Sequence, residues 1–68
     1  MKTKFSENLL SLRKELKIGQ IELAKSLNVS KGIISLWENG LREPTMSSLI
    51  ALSRYFKISI DELVGIDE

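Results

Sequence analysis

Two apolar runs at helical spacing, separated by the break Asn28-Val29-Ser30, constrain this chain more than any other feature. Between Gln20 and Gly40 the sequence reads QIELAKSLNVSKGIISLWENG, with Leu23 and Leu27 before the break and Ile34 and Trp37 after it. Each pair sits on one face of a helix. Asn is one of the few non-glycine residues that enters the left-handed conformation needed to end a helix abruptly. Ser30 then offers a cap for the helix that follows. Two short helices therefore meet at a steep angle, with Ala24 small where their crossing needs a small residue. A chain of 68 residues buries only about 60% of its unfolded surface, so the remaining segments must pack tightly around this joint.

Those segments also read as helices. Phe5, Leu9, Leu12 and Leu16 form a narrow stripe on one face of a first helix, and Arg13 beside the stripe is placed to reach inward. Lys17-Ile18-Gly19 closes that helix and opens the next, with Ile18 and Leu23 as a hydrophobic staple across Gly19. After Gly40, Pro44 excludes helix for Glu43 and Thr45 caps a fourth helix carrying Leu49, Leu52, Ser53 and Phe56 on one face. Ser59-Ile60-Asp61-Glu62 is a capping box, stapled by Ile58 and Leu63, for a short fifth helix ending near Val64-Gly65. The expectation is an all-α fold of five compact helices, residues 1–68 forming one domain without repeats or linkers.

The central pattern is that of a helix-turn-helix. Gln20, Leu23-Ala24, Val29-Ser30, Ile34-Ser35, Trp37-Glu38-Asn39-Gly40 and Pro44 resemble the signature of the phage repressor and Cro superfamily, over about Phe5 to Val64. The resemblance implies a lambda-repressor-like domain that binds double-stranded DNA sequence-specifically as a transcriptional regulator, most naturally a repressor. It also implies an ion pair, because the family pairs an Arg on the first helix with the Glu of the WENG-like segment, matched here by Arg13 and Glu38. Such a pair fixes how two helices dock more than it adds net stability.

Composition narrows the function classes. The chain has no His and no Cys, so disulfides, thiolate metal sites and the usual nucleophile and base sets are absent; no enzyme activity, metal or cofactor is expected. Apolar runs are too short to span a membrane, and Met1 to Leu12 lacks the apolar core of a signal peptide. A cytoplasmic location follows as the default. The net charge of +1 is divided unevenly: residues 1–57 carry all ten Lys and Arg against five acids, whereas residues 58–68 carry four acids and no base. The basic part coincides with the part expected to face DNA.

Placing Ile34 and Trp37 toward the core of a third helix, Lys31 to Asn39, puts Gly32 and Asn39 at the centre of its outward face. Ser35 and Leu36 flank that centre and Lys31 lies near its rim. By resemblance Lys31, Gly32, Ser35 and Leu36 occupy base-facing positions in the major groove. Gln20, Ser30, Asn39 and Arg42 match positions that hold the phosphate backbone. Gly32 brings no reading group and costs roughly 1 kcal/mol of helix propensity relative to Ala. One recognition helix spans too few base pairs to discriminate against a genome, so a homodimer on a near-palindromic operator is expected. Met46, Ile50, Tyr55, Ile60, Val64 and Ile66, apolar beyond what the core requires, are its expected interface. An interaction module of antitoxin or adaptor type, built on the same fold, is the alternative.

Overall fold

The structure, a computed structural model, describes residues 2–67 and the side chains of 4–65. Among the described residues the chain forms five helices: α1 (Phe5–Glu15), α2 (Gln20–Leu27), α3 (Lys31–Glu38), α4 (Met46–Phe56) and α5 (Ile60–Val64). The all-α expectation holds, with one addition. Two-residue strands β1 (Lys2–Thr3) and β2 (Ile66–Asp67) pair antiparallel and join the two ends of the chain. The Lys4 N–H continues that tie by donating to the carbonyls of Val64 and Gly65.

Chain reversals between helices are made the same way at four joints. A left-handed residue at Lys17, Asn28, Gly40 or Lys57 ends the preceding helix. The next N–H, of Ile18, Val29, Leu41 or Ile58, then bonds the carbonyl five residues back, which satisfies a carbonyl the helix end would otherwise strand. Asn28 was expected in this role. Starts are equally regular: Ser30, Thr45 and Ser59 each accept from the N–H three residues on, whereas Gly19 caps α2 without a side chain. In the Ser59 box the Glu62 carboxylate accepts from the Ser59 hydroxyl at 3.3 Å.

Phe5, Leu9, Leu23, Ala24, Ile34, Trp37, Leu52 and Leu63 form the core, drawn from all five helices. Phe5 meets Trp37 edge to face with ring centroids 6.1 Å apart, a geometry aromatic quadrupoles favour. Leu12, Leu27, Val29, Leu49 and Phe56, with the staple residues Ile18 and Ile58, pack around it. Leu16 departs from expectation. It lies beyond the last turn of α1 as its C-cap and is 53% exposed, because the chain reverses at Lys17 before Leu16 can turn inward. Asn8 secures α1 to α5, its amide donating to the carbonyls of Glu62 and Leu63. Among the described residues no helix is long and apolar enough to cross a membrane.

Candidate nucleic-acid interface

α3 is held by its inward face. Ile34 and Trp37 are buried, and Ile33 packs half-buried against the core. What remains outward is the expected set. Lys31, Gly32 and Asn39 are exposed, and Ser35 and Leu36 are half-buried between them. At 1.5 Å per residue this eight-residue helix is about 12 Å long, close to the width of the major groove of B-form DNA. The helix ends at Glu38 and Asn39 is its C-cap, one residue sooner than the expected limit. The Asn39 amide donates to the Ser35 carbonyl and hydroxyl oxygens, which fixes the two outward polar side chains relative to each other.

Behind that face lies a polar cluster. Arg13 donates through Nε to Glu38 Oε2 at 2.6 Å and through Nη2 to Oε1 at 3.1 Å, while its Nη1 donates to the Ile18 carbonyl at 3.0 Å. The two-point contact matches the planar fork of guanidinium to carboxylate. Gln20 completes it by donating from Nε2 to Glu38 Oε1 at 2.9 Å. One carboxylate therefore joins α1, the start of α2 and the end of α3. Side-chain exposures of 14% for Arg13 and 5% for Glu38 shield the pair from water. Burial alone pushes the Glu38 carboxyl up, but hydrogen bonds from Arg13 and Gln20, and the charges of Arg13 and Lys14, outweigh it and hold the carboxyl below its ordinary value. The same hydrogen bond raises Arg13.

The expected phosphate-side residues are placed unequally. Ser30 and Arg42 are exposed, at the N-cap of α3 and in the loop after it. Gln20 is half-buried with its amide engaged by Glu38, a second role that the sequence did not reveal. Of the expected interface residues, Met46 and Ile50 are exposed at 66% and 40%. Ile60 and Val64 are half-buried. Tyr55 packs against the core and edge-on to Phe56, so only part of its surface is free. The Ile66 side chain lies outside those described. Leu41, not singled out from sequence, is 75% exposed. Its equivalents at the other three joints, Ile18, Val29 and Ile58, all pack on the core. Among the described residues no His, Cys, Asp or Glu cluster is placed to hold a metal ion.

Comparison with known proteins agrees with this geometry. The family model described as Helix-turn-helix matches residues 9–63. The chain is 42% identical over 64 residues to the HTH-type transcriptional activator BcrR of Enterococcus faecalis, covering 94% of this chain and 31% of that protein. It is 41% identical over 58 residues to repressor protein C2 of Salmonella phage P22, covering 85% and 27%. It thus spans between about a quarter and a little over half the length of the curated relatives it matches. Among solved structures, a transcriptional regulator from Listeria innocua superposes with a TM-score of 0.93 at 37% identity, over 100% of this chain and 64% of that one. The P22 c2 repressor in complex with a synthetic operator superposes with a TM-score of 0.85 at 40% identity, over 93% and 96%. With the family model covering most of its length and a capped, sharply turned helix pair at its centre, this chain belongs to the helix-turn-helix family of the phage repressor and Cro type.

Proposed function

We propose that this protein is a sequence-specific double-stranded-DNA-binding transcriptional regulator, acting as a repressor, that lays α3 in the major groove. The observation that carries this reading is the outward face of α3: Lys31, Gly32 and Asn39 are exposed and Ser35 and Leu36 half-buried, while Ile34 and Trp37 on the opposite face are buried in the core. Lys31 donates to guanine O6 and N7, and Leu36 packs on a thymine methyl. Ser30, Arg42 and Asn39 hold phosphates, and Gln20 does so with the amide hydrogen that Glu38 leaves free. The structural neighbour whose described complex contains an operator supports this class of partner. Residues 1–68 act as one DNA-binding domain, in the cytoplasm, as a homodimer on a near-palindromic site, with Met46 and Ile50 at the two-fold axis.

Fluorescence-anisotropy titration of labelled duplexes tests this reading. A mixed-sequence duplex at low salt should bind with an affinity that falls as salt rises, because phosphate contacts release counterions. Selection from a random pool should then yield one enriched, near-palindromic sequence. No salt-dependent binding would favour a protein-interaction module, of antitoxin or adaptor type, instead.

A further inference from the structure

We infer that Gly32 is a specificity-determining residue whose missing side chain lets α3 approach the floor of the major groove. The inference rests on the DNA-binding reading above and deepens it. Glycine in a helix needs a reason, because it gives up backbone order that alanine would keep. The fold supplies none. Gly32 lies in the first turn of α3 with ordinary helical backbone, outside the set of left-handed residues. A Cβ built there would meet only the Ser30 hydroxyl, at 3.7 Å, an ordinary contact distance. The position is exposed, so no neighbouring element limits its size. Gly40 and Gly65 differ, since both adopt positive φ, a conformation that favours glycine.

What limits Gly32 is therefore outside the chain, and its place on α3 says where. At 100° per residue it points along the centre of the outward face, with Lys31 beside it and Ser35 and Leu36 one turn on. These longer side chains form the walls of a notch whose floor is bare backbone. A helix seated by that notch comes closer to the base edges than one bearing a side chain at its centre. Lys31, Ser35 and Leu36 then reach the bases from either side. A methyl group at position 32 would push the helix back and lengthen all three contacts together.

The test has two readouts of opposite sign on the full chain. Gly32→Ala should raise the melting temperature by about 4–8 °C, the shift expected for restoring alanine's helix propensity in a domain of this size. The same variant should bind the selected operator about 5- to 150-fold more weakly, as overpacking a close contact does, and leave binding to mixed-sequence duplex unchanged. Ser47→Ala, an exposed helix-favouring change on α4, is the control and should leave operator affinity as it was. Operator affinity of Gly32→Ala within twofold of wild type would overturn the inference while leaving the DNA-binding reading intact. A lowered melting temperature would overturn it too, by showing that the fold itself requires the glycine. Wild-type protein that selects no duplex would instead remove the reading on which it rests.

Discussion

At Glu38, burial and hydrogen bonding pull the carboxyl in opposite directions, and hydrogen bonding from Arg13 and Gln20 prevails. The unfolded chain returns this group to the ordinary glutamate value near 4.3, above its folded value, so the unfolded state takes up the proton first as pH falls. Stabilisation by the pair is therefore complete above that ordinary value and is lost as pH drops through the lower, folded one. Thermal melts of wild type should fall more steeply on acidification below about pH 4.3 than those of Glu38→Gln; parallel profiles would show that the carboxylate is not linked to folding. Glu38→Ala removes the acceptor altogether and leaves Arg13 largely buried without its partner, a change that costs about 3–5 kcal/mol of the about 5–15 kcal/mol a small domain has. An unchanged urea midpoint would contradict that role. On the other side of α3, Lys31→Ala should leave stability within about 0.5 kcal/mol, and Leu36→Ala, at a half-buried position, should cost about 1 kcal/mol of it. Each should cost about 1–3 kcal/mol of operator binding and relax preference at one base pair. Equal weakening on every duplex would mean that neither residue reads a base.

Helix ends, more than helix faces, decide how the elements are joined. Lys17 and Lys57 both sit at φ near +57°, like Asn28, and a left-handed residue with a Cβ costs roughly 1–2 kcal/mol. Lys57→Gly should therefore raise stability by about 0.5–1 kcal/mol, after allowing for glycine's greater freedom in the unfolded chain. A thermal melt checks this, and a lower melting temperature would show that the Lys57 stem contributes packing worth more than the strain. These joints also mark what the sequence makes legible. Asn28 announces its conformation, because Asn is enriched in the left-handed region; lysine carries no such signal, so nothing marks Lys17 or Lys57 as a reversal and α1 and α4 are read from their apolar spacing. That spacing carried Leu16 into the buried stripe, whereas the reversal at Lys17 leaves it exposed. The Arg13–Glu38 pair was legible because both residues belong to a recognisable pattern. The third member, Gln20, was not, since an amide donor across 18 residues of sequence leaves no periodic trace. Leu41 was missed for a related reason: a loop residue has no face, and its exposure emerges only when the other three joints bury their equivalents.

The whole molecule measures 32 × 24 × 22 Å, which bears on how it would sit on DNA. The α3 helix proposed to read bases, about 12 Å long, would cover only a few base pairs, and discrimination against a genome of competing sites needs more contacts than that. Two copies related by a two-fold axis would supply them and present two α3 helices to successive major grooves. Half-sites one helical turn apart, about 34–36 Å, are compatible with two touching bodies of this size. Among the described residues of the C-terminal half the exposed large apolar side chains are Leu41, Met46 and Ile50, and residues 58–68 carry four acids and no base. The proposed dimer therefore brings the apolar end of α4 together at the axis and keeps the basic part of each copy on the duplex. Because one duplex would hold both copies side by side and raise their effective concentration, the proposed pairing can form on DNA alone, and a monomer in dilute solution would not count against it. The decisive measurement is stoichiometry on the selected operator. Two chains per site, with affinity for an isolated half-site at least about tenfold weaker, corresponding to about 1.4 kcal/mol of coupling, is the expected result. Met46→Glu should place like charges across the axis and abolish that coupling while leaving half-site binding unchanged. One chain per operator, with half-sites bound as tightly as whole ones, would refute the dimer.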